Sequence, residues 1–124
     1  MAIISFDRDA LVDYIPAYGG NRESLEPCIV KLRFCPYSRV QHYSRLIAAR
    51  TKGVNDQLKV TEAGQEVQKK QFVDNVESVS NYFVDGAEVR DPERFYETAD
   101  TDLVLEIIKA MESHSRLGEG QRKN

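Results

Sequence analysis

The sequence predicts an α+β fold, mainly α-helical, with a small N-terminal β-sheet or hairpin, three to four helices, and a short hairpin near residues 82–89. Three stretches carry this expectation. Residues 101–117, TDLVLEIIKAMESHSRL, place Leu103, Val104, Ile107, Ile108 and Met111 on one helical face, with Asp102, Glu106, Lys109 and Glu112 elsewhere and Leu105 flanking the stripe. CIVKLRF alternates Val30, Leu32 and Phe34 against Ile29, Lys31 and Arg33, as a half-exposed strand does. Asp85-Gly86, between two short alternating runs, is a type I′ turn signal.

The remaining elements follow in order. AIISFD and then LVDYIPAY have the β-branched and aromatic enrichment of short strands, with Pro16 limiting how central the second can be. Gly19, Gly20 and Asn21 make a turn. Pro36 suits the first turn of a helix, since its missing N–H would have no intrahelical partner there. That helix carries Val40, Tyr43, Leu46 and Ile47 on one side and closes on Arg50, Lys52 and Gly53. VNDQLKV reads as a connector, and a long polar helix is expected from Thr61 to Ser80 with an imperfect stripe of Val67, Phe72, Val73, Val76 and Val79. Across the Asp85-Gly86 turn, Val84 should face Ala87 and Tyr82 should face Val89. Asp91 and Pro92 then start a short helix carrying Phe95 and Tyr96, and Thr101 is the expected N-cap of the last one. One globular domain is expected over residues 1–117, with 118–124 a flexible polar tail.

With 124 residues, 41% apolar and 30% charged, the chain can bury one real core. A formal charge of −3 gives no general attraction to phosphate or anionic lipid, which weighs against a nucleic-acid or membrane role. The apolar runs are too short for a spanning helix and the N-terminus does not read as a signal peptide, so a cytosolic protein is expected. Cys28 and Cys35 flank an extended stretch that would hold them roughly 20 Å apart, too far to pair.

Sequence traces of catalysis are missing: there is no G-x-S-x-G, glycine-rich phosphate loop, H-E-x-x-H or C-x-x-C. Cys28 or Cys35 with His42 or His114 is the one thiol or metal constellation that folding could assemble, but two of each with no ligand spacing point to small buried thiols and surface histidines. Gly19-Gly20-Asn21 lacks the strand-to-helix context and lysine of a phosphate cradle. The scattered tyrosines are not interleaved with a basic run, as a base-stacking platform would require. No catalytic, cofactor or metal residue is therefore assigned.

The order of features resembles a known family. DYIPAYGGNRE, a strand of the form P-x-I-V-K-L-R, FVDNVESVSNY, a VDG turn, LVLEIIKAMESHSRL and the close SRLGEGQRKN together resemble the small tail assembly chaperones of long-tailed bacteriophages and prophages. The similarity is weakest between Ala48 and Lys69. The resemblance implies a non-enzymatic accessory factor of the host bacterial cytoplasm, which coats the tape measure protein and helps recruit tail tube subunits. It also implies a longer frameshifted product, and Arg122-Lys123-Asn124 is compatible with the slippery heptamer A AAA AAC. The family supplies no site residues. Exposure and pattern instead nominate Phe72, Val76, Phe95, Tyr96, Met111 and Leu117 as partner contacts, in a groove or helix surface for a partner helix, with core packing as the plainer reading of the same stripes. A homo-oligomer is expected. The rival readings are a head-completion or tail-terminator subunit and a small nucleic-acid-binding regulator using Arg39, Arg45, Arg50 and Lys52.

Overall fold

Alternating apolar residues at 12, 14, 30 and 32 need a covered sheet face, and the helices supply it. The computed structural model describes residues 9–113. In chain order these form β1 (Leu11–Tyr14), a 3-10 turn (Tyr18–Glu23), β2 (Ile29–Arg33), α1 (Tyr37–Thr51) and α2 (Gln57–Asn75). Then come β3 (Val76–Ser80), β4 (Phe83–Val84), β5 (Ala87–Glu88), α3 (Pro92–Thr98) and α4 (Thr101–Glu112). The expected α+β, mainly helical architecture is what forms. The expected AIISFD strand, His114, Leu117 and the polar tail lie outside the described residues.

β1, β2 and β3 make one antiparallel sheet in that order. Val30 and Leu32 are fully buried on the inner face, whereas Lys31 between them is exposed. α4 packs against β2, and Leu103, Val104, Ile107, Ile108 and Met111 are all buried, so the predicted stripe is the inner wall of the core.

The sequence reading fails at 76–80, where the expected helix is strand β3. Val76 and Val79 stand three apart, a helical spacing. In the sheet, Val79 pairs with Val30, Ser78 with Lys31 and Val76 with Leu32, which leaves Glu77 as the extra residue of a β-bulge. A bulge resets the alternation, so two valines three apart both face inward against two β2 residues only two apart. Glu77 points out and binds Arg33 at 2.6 Å. The helix before it also begins earlier than expected. Asp56 caps α2 by accepting from the Leu58 N–H at 3.0 Å, so Gln57–Val60 is helix rather than connector. Leu58 is exposed there, which is why no apolar period marks the start.

α1 and α2 run antiparallel: Tyr43 meets Asp74 at 2.9 Å and Arg50 meets Glu66 at 3.3 Å. Asp91 caps α3 with Pro92 at its first position, as predicted. The N-cap of α4 is Asp100 rather than Thr101, its Oδ1 accepting from the Asp102 N–H at 3.3 Å. The carboxylate reaches forward two residues and serves the positive end of the helix better than a hydroxyl.

At the hairpin, Phe83 pairs with Glu88 and Val84 with Ala87, and the Val89 N–H donates to the Tyr82 carbonyl at 2.8 Å. Asp85 and Gly86 have φ of 51° and 83°, both positive as the type I′ turn demands. A Cβ at Gly86 meets nothing within 4 Å, so only backbone strain opposes it. Gly86→Ala is expected to cost about 1 kcal/mol in urea unfolding with the fold retained; a neutral or stabilising result would mean that the turn is not held in this conformation in solution.

Candidate functional site

An open recess lies between α2 and the α3–α4 segment. It encloses about 530 Å³. Glu62, Gln65, Glu66, Gln68 and Lys69 of α2 line one side, and Tyr96, Ala99, Val104 and Leu105 form most of the other. Val104 is nearly closed into the core, but Leu105, one residue off the buried stripe, remains 40% exposed. The groove thus has an apolar floor and a polar rim, the composition of sites that take up an amphipathic segment.

The rim is acidic. Its one lysine, Lys69, is held by Glu93 at 3.2 Å, and Glu66 by Arg50 at 3.3 Å. Glu62 adds a further carboxylate to this wall.

Of the six expected partner contacts, four prove to be core residues in this chain. Phe72, Phe95 and Met111 are fully buried and Val76 is 3% exposed. Phe72 stacks on Phe95 with ring centroids 5.8 Å apart, and Tyr96 tilts against Phe72 at 5.4 Å. These stripes are completed from within, so a partner cannot touch them without unpacking the core. Tyr96 is half-buried and lines the groove, while Leu117 lies outside the described residues. Leu105 and Ala99 were missed. An apolar residue beside a filled stripe, as Leu105 is, was the available signal.

A second constellation was invisible in the sequence because its members stand far apart. Residues 14–18 lie across α4 as a strap, and Glu106 receives it: Oε2 accepts from the Tyr14 hydroxyl at 2.6 Å and the Ala17 N–H at 2.7 Å, and Oε1 accepts from the Tyr18 N–H at 3.1 Å. The Tyr18 hydroxyl donates to Asp100 at 2.6 Å. Asn21 closes the loop behind it, its amide donating to the Pro16 and Cys28 carbonyls and its oxygen accepting from the Cys28 N–H at 2.7 Å. The DYIPAYGGN stretch is therefore an anchored strap.

Ionisation follows these contacts. Burial, with the Glu106 bond and charge beside it, pushes the Tyr14 phenol up to about 12, against the opposing pull of Arg22. The Asp100 carboxyl is held below its usual range, first by the Tyr18 hydrogen bond and then by backbone N–H groups at its helix end. Burial pushes the thiols of Cys28 and Cys35 up to about 11, so both are protonated at neutral pH and neither has the thiolate character of a nucleophile. Among the described residues no group of three or more His, Cys, Asp or Glu is placed to hold a metal ion. No helix among them is long and apolar enough to cross a membrane.

These shifts set an alkaline limit. The folded chain keeps protons that the unfolded chain has already released, so stability falls as pH rises through this range. The contribution is complete below the ordinary values, 9.0 for the thiols and 10.0 for the phenol, and is lost towards about 11 and about 12. Tyr43 and Tyr96, raised chiefly by burial, add to it. The urea midpoint should hold steady to pH of about 8.5 and then decline. Tyr14→Phe should flatten the upper part of the decline, and a midpoint constant through pH of about 11 would contradict the assigned burial.

The basic residues of α1 are partly spoken for. Arg39 donates to the Tyr43 hydroxyl at 3.0 Å and lies 3.8 Å from Asp74, and Arg50 pairs with Glu66. In comparison with known proteins, the chain matches no family model, no curated protein and no solved structure.

Proposed function

We propose that this chain is a non-enzymatic assembly chaperone of a phage or prophage tail, which binds the tape measure protein, keeps it from aggregating and helps recruit tail tube subunits. The observation that carries this reading is the groove between α2 and α4, open and apolar-floored on a chain whose own stripes are already buried. A long tape measure helix exposes apolar stripes that need cover, and many copies of a small acidic protein with such a groove would both shield and solubilise it. The feature order of the sequence, from DYIPAYGGNRE to SRLGEGQRKN, supplies the identity of the partner in this proposal.

Pairing of Arg39 and Arg50 with carboxylates of α2 disfavours the nucleic-acid regulator, since those charges are compensated before any phosphate arrives. A head-completion or tail-terminator subunit would remain in purified virions, and a chaperone would not.

The test starts from the neighbouring genes: a very long helical open reading frame is expected downstream, and its product is coexpressed with this chain. Expected is a soluble complex that copurifies, with the tape measure protein insoluble when expressed alone, and with Leu105→Ser weakening recovery. A tape measure protein that is equally soluble without this chain, or no complex at all, would sink the proposal.

A further inference from the structure

Helix α1 is held differently from α4. Six of the 12 residues of α4 are buried, whereas Tyr43 is the one buried residue among the 15 of α1. Val40, Leu46 and Ile47 lie against the core but stay partly exposed. The packing partner of α1 is α2, and the centre of that seam is polar. The Tyr43 hydroxyl donates to Asp74 at 2.9 Å and accepts from the Arg39 guanidinium at 3.0 Å and the Asn75 amide at 3.4 Å. Asn75, nearly closed off from solvent, also donates to the Gln71 carbonyl at 2.7 Å. Two ion pairs, Arg39 with Asp74 and Arg50 with Glu66, tie the same helices, but both face solvent and such pairs contribute little.

Both ends of α1 are fixed independently of it. Buried Cys35 donates its N–H to the Met111 carbonyl at 3.0 Å, and Asp56 caps α2. Pro36 and Gly53, the latter at φ of 74°, bound the helix between these anchors. The cluster of Phe72, Phe95 and Tyr82 and the packing of α4 on β2 use no residue of α1. We infer that α1 is a cover that opens on its own: residues 36–55 come off α2 and lose their helix while the sheet, α3 and α4 stay folded, with the Tyr43 hydroxyl as the fastening. A helix of this length is marginal in water once its packing is gone. Few buried apolar groups and a solvent-facing backbone place a segment at the low end of the stability range. Opening frees the apolar side of α1 and uncovers Asp74 and Asn75, a surface that the closed fold withholds. Cys35 and Asp56 keep the released segment tethered at both ends, so it returns to the same seat.

Amide exchange of the full chain, followed residue by residue at a pH where it reports opening equilibria, tests this. After correction for intrinsic rates, the central α1 amides of Tyr43, Leu46 and Ile47 should exchange on the order of 100-fold faster than those of Ile107 and Ile108. Two conservative variants separate local from global opening. Tyr43→Phe keeps the ring and loses the fastening, which weakens the closed fold against the open and the unfolded state alike. Exchange should therefore rise roughly tenfold in both α1 and α4. Ile107→Val trims a fully buried contact that the open state retains, so α4 amides should exchange up to roughly tenfold faster and α1 amides at an unchanged rate. Equal protection of α1 and α4 in the wild type overturns the inference, as does an Ile107→Val effect as large in α1 as in α4; either would show that α1 unfolds only with the whole chain. Exchange of α1 untouched by Tyr43→Phe overturns it too, since the helix would then fray without releasing the Tyr43 hydroxyl.

Discussion

Replacing Phe72 with alanine is expected to lower the unfolding free energy by about 3–5 kcal/mol, the range for deleting a buried aromatic ring. The ring is fully buried, stacks on Phe95 with the two planes 4° apart, and is backed by Tyr96. Tyr82 from the hairpin reaches the other partner, 4.5 Å from Phe95. α2, α3 and the hairpin thus meet at one aromatic cluster, and none of its members is free to move into the space that a lost ring leaves. In a chain of this size that loss would shift Tm by roughly 10–20 °C, readable by circular dichroism. Leu105→Ser is the opposite case: its stability should stay within about 0.5 kcal/mol of the wild type, as for an exposed position away from caps and core, while partner capture falls. If Phe72→Ala instead left stability unchanged and abolished capture, Phe72 would be an interface residue after all and the core described here would be wrong.

How far the sequence could be read depended on the range of the forces involved. α1, α3, α4, β2 and the Asp85-Gly86 hairpin were legible because their signals are local: a period, a cap, a proline at the first turn, a residue pair that tolerates positive φ. β3 was not, because Val76 and Val79 keep a helical spacing that only the bulge at Glu77, visible once Leu32 and Val30 lie opposite, converts to a strand. The spacing of Phe72, Val76 and Val79 argued for continuation of the helix, and pairing with β2 overrode it. Four of the six expected partner contacts proved to be core for a related reason. Phe72, Phe95 and Met111 stand out in the sequence as large and apolar, which is also what makes them core, whereas the groove is recognised only when Leu105 and Glu62 come together from different helices.

Glu106→Ala should have the second largest effect, about 2 kcal/mol, because one carboxylate takes three donors from the strap and its removal leaves them to water. The loss should be local as well as global. Amide exchange at Ala17 and Tyr18 should speed up, and the Tyr14 phenol should titrate closer to its ordinary value once the negative partner is gone. Tyr14→Phe removes only one of the donors, so a double-mutant cycle with Glu106→Ala should show coupling of about 1 kcal/mol. Unchanged exchange at both amides would show that the strap is held by the Asn21 contacts and the buried Pro16 alone. Leu105, Glu106 and Ile107 are consecutive and therefore about 100° apart around α4, so one short helix presents a groove wall, a latch and a core residue in different directions. Since Ile107 and Met111 are fully buried and hold α4 in place without the latch, Glu106→Ala should lower stability while leaving affinity for a groove partner unchanged. A parallel loss of affinity would mean instead that the strap, through Glu106, sets the position of the groove wall.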